Sequence, residues 1–100
     1  MPAESKKAVK AFILMNIDPN VPYDEIGTKF KKFRKGEAGR EHACIKDMYV
    51  ITGEYDIIAE VDADSNEHLL RLVTTILKPQ SPKVVTKTMT AVAANSIWKS

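Results

Sequence analysis

The first long apolar stretch runs from Ala8 to Ile17, interrupted only by Lys10 and Asn16, and Asp18-Pro19-Asn20 follows it at once. Its length and that punctuation predict a buried strand rather than a helix. Tyr23, Ile26, Phe30 and Phe33 then recur at helical spacing, with Lys29, Lys31, Lys32, Arg34 and Lys35 mainly off that stripe. Pro22 suits a first turn, Asp24 and Glu25 favour the positive end of the helix dipole, and Gly36 can end the helix.

After a polar loop, a second strand is predicted from His42 or Cys44 to Thr52, a turn at Gly53-Glu54, and a third strand from Asp56 to Val61. Asp64, with Glu67 three residues on, reads as the cap of a second helix. Its broad stripe is Leu69, Leu70, Leu72, Val73, Ile76 and Leu77, and Pro79 stops it. Alternation from Lys83 to Ala93 predicts a fourth strand. In the tail, Ile97 and Trp98 are candidates to pack on the domain.

The order β-α-β-β-α-β is the split βαβ arrangement of an α+β, ferredoxin-like fold. Two right-handed crossovers place both helices on one face of a four-stranded antiparallel sheet. The other face then stays open, yet Phe12, Ile13, Leu14 and Met15 supply apolar groups to both sides of the first strand. An apolar sheet face points to an interface, so the pattern predicts self-association sheet to sheet.

Composition changes this picture little. The chain has 100 residues, enough for one domain: a short N-terminus (1–7), a domain (8–93) and a tail (94–100). A formal charge of +2 does not by itself argue for nucleic acid. The single cysteine, Cys44, excludes an internal disulfide and suits a reducing cytoplasm. No apolar run reaches the roughly 18 residues of a membrane span, and no signal-peptide pattern is present.

The candidate chemistry lies at Thr52-Gly53-Glu54-Tyr55-Asp56. A glycine turn exposes amides that can hold a carboxylate, Thr52 offers a hydroxyl, and Asp56 can pair with an ammonium group. Together they would suit a zwitterion such as an amino acid. Equally, Asp56 can satisfy turn amides and bind nothing.

Three stretches resemble the effector-binding (RAM) domain of the Lrp/AsnC family. They are Asn16-Ile17-Asp18, the run from Val50 through Thr52-Gly53-Glu54-Tyr55-Asp56 to Asp64, and Thr86-Lys87-Thr88-Met89-Thr90. The likeness covers residues 9 to 93, and the glycine turn followed by Tyr-Asp is its most specific part. The resemblance implies a dimeric α/β barrel, further assembly into an octamer or similar ring, and effectors, commonly amino acids, bound between dimers. It implies ligand-binding roles for Thr52, Gly53, Tyr55 and Asp56, with Glu54 a weaker candidate. It also implies a regulatory module, not an enzyme, with no cofactor. With only about eight residues before the first strand, the chain is expected to be a stand-alone version without its own DNA-binding domain, with full-length Lrp-like regulators as candidate partners. Residues 35–46 depart from the family in being longer. The alternative from another class is a small cofactor-independent enzyme of the dimeric α/β barrel type.

Other candidates read as structural. The basic run Lys29 to Lys35 is the solvated face of an amphipathic helix, since no aromatic residues interleave with it. His42 and Cys44 would share a strand face if extended, but His68 stands apart without zinc spacing, so no metal site is expected. Met15, Met48 and Met89 read as packing residues. No nucleophile–base motif or phosphate loop occurs.

Overall fold

The computed structural model describes residues 9–77, 84–94 and 97–98. The elements are β1 (Val9–Ile17), α1 (Tyr23–Phe30) continued by a 3-10 turn (Lys31–Phe33), β2 (Ala43–Val50), β3 (Ile57–Ala63), α2 (Asn66–Leu77) and β4 (Val85–Val92). The sheet order is β2-β3-β1-β4 and every pairing is antiparallel. This is the predicted α+β, ferredoxin-like architecture. The proposed stop at Pro79, the start of the fourth strand at Lys83 and the segment 1–7 lie outside the described residues.

Strand alternation divides the side chains cleanly. Ala11, Ile13, Met15 and Ile17 of β1 and Ile57, Ala59, Val61 and Ala63 of β3 are buried on one face. They form one core with Ile26 and Phe30 of α1, Phe33 beyond it, and Leu69, Leu72 and Ile76 of α2. Both helices therefore cover the same face. Burying each large aliphatic side chain there contributes about 1.5–3 kcal/mol relative to exposure.

The opposite face carries Phe12 and Leu14 of β1, Ile58 of β3, Tyr49 of β2 and Met89 of β4, and none of these is fully buried. Tyr49 and Met89 are exposed by half. The apolar second face predicted from strand one is thus open in the single chain. Across it Lys10 Nζ contacts Glu60 Oε2 at 2.7 Å, with Lys46 at 3.9 Å. The Lys10 ammonium's hydrogen bond holds the Glu60 carboxyl below its ordinary 4.5, and Glu60 in turn raises Lys10.

Four local expectations are corrected. The cap of α2 is Ser65, not Asp64: its Oγ accepts the His68 N–H at 3.2 Å and its carbonyl takes the Leu69 N–H. The α2 stripe is narrower than its sequence, because Leu70 and Leu77 stay exposed while one row, Leu69, Leu72 and Ile76, meets the sheet. Tyr23 likewise points out from the first turn of α1. Ile97 and Trp98, at 90% and 94% exposure, pack on nothing among the described residues.

Candidate functional site

The hairpin between β2 and β3 is a six-residue loop, 51–56, closed by the Ile51 N–H donating to the Asp56 carbonyl at 2.9 Å. Gly53 has φ +127°, a conformation that side-chain-bearing residues rarely adopt. A Cβ placed there would meet no atom within 4 Å, so the glycine answers a backbone requirement and not crowding.

The five candidate residues occupy different environments. Thr52, Gly53 and Glu54 are exposed at the tip. Tyr55 is buried, and the Lys87 ammonium of β4 lies 5.4 Å from its ring centroid. Asp56 is half-buried and clamped to β1: its N–H donates to the Met15 carbonyl at 2.9 Å, and its Oδ2 accepts the Ile17 N–H at 3.0 Å. That bond falls where the β1–β4 register shifts, between Asn16 and Ile17. Strand alternation turns the Ile17 amide, like the Met15 carbonyl, to the β3 side, and the β1–β3 pairing ends at Met15–Ile57, so the amide meets the carboxylate in place of a ladder partner. Oδ1 of Asp56 has no partner among the described residues. The structure thus gives Asp56 an amide to satisfy, on β1 and not in its own turn, while one oxygen remains available to a ligand.

Among the described residues, neither of two well-formed clefts is lined by residues 52–56. The larger, about 670 Å³, lies between α1 and β2 and includes Asp24, Lys31, Arg34, Lys46 and Asp47. It has neither His nor Tyr in its wall. Nearby, the Tyr49 hydroxyl donates to Asp47 Oδ2 at 3.1 Å, which raises the phenol above its ordinary 10.0. The smaller cleft, about 290 Å³, is lined by His42, His68 and Arg71 among others.

The arrangement missed in the sequence is at that smaller cleft. His42 does not pair with Cys44. It lies in the bend before β2 and stacks on His68 of α2, ring centroids 4.6 Å apart, with Nδ1 at 2.6 Å from Asp64 Oδ2. Cys44 is buried one residue into the strand. The basic run behaves as expected of a solvated face: Lys31 and Lys32 are exposed. Lys32 and Arg40 lie over the Phe33 ring at 5.4 and 5.1 Å.

No protein-family model matches the sequence, and no curated protein matches it. Solved structures do. An FFRP protein is 28% identical over 86% of this chain and 99% of its own, with TM-score 0.63. The transcriptional regulator NMB0573 from Neisseria meningitidis, solved as an L-methionine complex, is 13% identical with TM-score 0.70, covering 99% of this chain and 61% of its own. The feast or famine regulatory protein Rv3291c from M. tuberculosis, complexed with L-methionine, is 18% identical with TM-score 0.66, covering 98% and 61%. The chain has the fold of the RAM domain of Lrp/AsnC-family regulators. It spans less than two thirds of the length of the two methionine-bound regulators. No helix among the described residues is long and apolar enough to cross a membrane.

Proposed function

We propose that this chain is a ligand-sensing regulatory module whose effector, an amino acid or related small polar metabolite, binds at the 52–56 hairpin between subunits. The observation that carries the reading is the hairpin itself. It is held rigidly by its bonds to β1, it presents Thr52, Gly53 and Glu54 to solvent, and neither cleft of the single subunit reaches it. A pocket there is completed by a second copy. The open apolar face of Phe12, Leu14, Ile58 and Met89 supplies a surface for the basic dimer. Two structures of the same fold being methionine complexes supports the choice of effector class.

The module acts without catalysis, through its own assembly and through co-assembly with full-length regulators of the same fold. A catalytic reading would call for a closed cavity lined by His or Tyr; the larger cleft has neither, and the smaller, which holds His42 and His68, is open to solvent.

Native mass spectrometry with and without a panel of amino acids and nucleotides tests the proposal. A dimer or larger ring is expected, with one or more metabolites raising the melting temperature or changing the assembly. Ile58→Asp, which puts a charge on the open face, is expected to give monomers. A wild-type monomer that no metabolite stabilises would overturn the reading.

A further inference from the structure

The chain has two histidines, and the fold brings both to one place. His42 arrives from the loop before β2. Asp64 and His68 arrive from the junction of β3 and α2. Pairing of Ala43 with Ala63 sets residue 42 across from residue 64, and the Asp64 N–H donates to the His42 carbonyl at 2.8 Å. The step from Asp64 to His68 is then one helical turn. One ligand atom from each of the three side chains lies within 4.8 Å of the other two.

We propose that His42, Asp64 and His68 form a binding site for a divalent late first-row transition-metal cation of the zinc class. Two imidazoles and a carboxylate are the ligand types such ions take, and three protein ligands leave a position for water. Tetrahedral zinc with bonds of about 2.0–2.1 Å needs its ligand atoms roughly 3.3 Å apart. His42 Nδ1 and Asp64 Oδ2 are already closer than that, at 2.6 Å. The His42 side chain, 64% exposed, can rotate out of the stack so that its lone pair converges with that of His68. Both groups sit on the cleft side of α2, where solvent reaches them.

The surroundings favour the ion. Ser65 Oγ lies 3.0 Å from His68 Nδ1 and already accepts the His68 backbone N–H. In the tautomer whose Nδ1–H donates to that oxygen, the Nε2 lone pair is left for a metal, the usual arrangement behind a ligating histidine. The two guanidiniums near the cleft are engaged elsewhere. Arg71 pairs with Glu67 at 2.8 Å, and Arg40 donates to the Lys32 carbonyl at 2.9 Å. The site is at the opposite end of β3 from the 52–56 hairpin, about 20 Å away along the strand. It therefore stands or fails independently of the effector site. A bound ion would tie the end of the long 35–42 loop to the start of α2.

The test uses the tag-free full chain, stripped with EDTA and titrated with zinc sulfate. Both imidazoles are followed by NMR, the stoichiometry by calorimetry, and the assembly by native mass. The expected result is saturable binding of one zinc per chain, with both imidazole signals shifting together and reversal by EDTA. The assembly is expected to stay unchanged. His42→Gln and His68→Gln should each weaken binding by about 10-fold or more. The imidazole signals of the unaltered protein decide the matter even where a variant folds poorly. No saturable shift at millimolar zinc, a shift at one histidine alone, half a zinc per chain with a doubled mass, or a His42→Gln variant that binds as tightly as wild type would each overturn it.

Discussion

Asp56 is where stability and ligand binding are most easily confused, and two substitutions separate them. In Asp56→Ala the Ile17 N–H loses its acceptor at 3.0 Å. The site is partly buried, so water replaces that acceptor imperfectly, and the cost is roughly 1–3 kcal/mol. For a domain of this size each kcal/mol lowers Tm by about 4–8 °C, so a fall on the order of 10 °C is expected. Asp56→Asn keeps an oxygen on the Ile17 amide and removes only the charge. Its Tm should stay near that of wild type, while its response to a stabilising amino acid should be lost if the carboxylate pairs with the ammonium group. Thermal melts of the three proteins, with and without that amino acid, make the comparison. An Asp56→Ala protein as stable as wild type would refute the structural role, and an Asp56→Asn protein with an undiminished ligand response would refute the binding role.

Three further outcomes follow from the fold. Leu72→Ala, at a fully buried α2 position, should cost about 2–5 kcal/mol in a urea melt with unchanged slope, and a loss under about 1 kcal/mol (roughly a fivefold step in the equilibrium) would mean that α2 packs less tightly than described. Ser65→Ala should cost about 0.5–2 kcal/mol by removing the α2 cap, whereas Asp64→Ala should leave helix content unchanged by circular dichroism. Glu60 has a carboxyl held below its ordinary 4.5, so its contribution to stability is whole above that value and fades as pH falls through the lowered folded-state value. The Tm difference between wild type and Glu60→Gln should therefore shrink in acid below pH 4.5, and a difference that grows there would contradict the Lys10–Glu60 contact.

The element order was legible because each segment keeps one period. The apolar run at 8–17, the three-and-four spacing from Ile26 to Phe33 and the glycine turn at 53 each match one structure and no other. What could not be read depends on register and on irregular backbone. Asp64 has the chemistry of a cap, but strand pairing sets it across from His42, and the capping geometry falls to Ser65. The meeting of His42 with His68 needs the β2–β3 register and the rotation of α2, neither of which is written in local spacing. The available signal was indirect: a hairpin centred on 53–54 brings residues 42 and 64 within one position of facing each other, the irregularity between Ile45 and Asp47 closes that gap, and His68 lies one helical turn beyond. At Asp56 the clamp on Ile17 depends on where the β1–β3 pairing stops, which no residue pattern announces.

The two outer strands of the sheet are not equivalent. Along β2, Arg34 forms a parallel bridge with Ile45, the Lys35 N–H donates to the Ile45 carbonyl at 3.1 Å, and the strand is irregular between Ile45 and Asp47. That margin is blunted against a further strand. Among the described residues nothing comparable borders β4, which pairs with β1 on one side only. Edge-to-edge joining is therefore favoured at β4, where two copies can meet about a twofold axis. A sheet with one blunted border is biased toward closing on itself as a pair and away from propagating into a fibre.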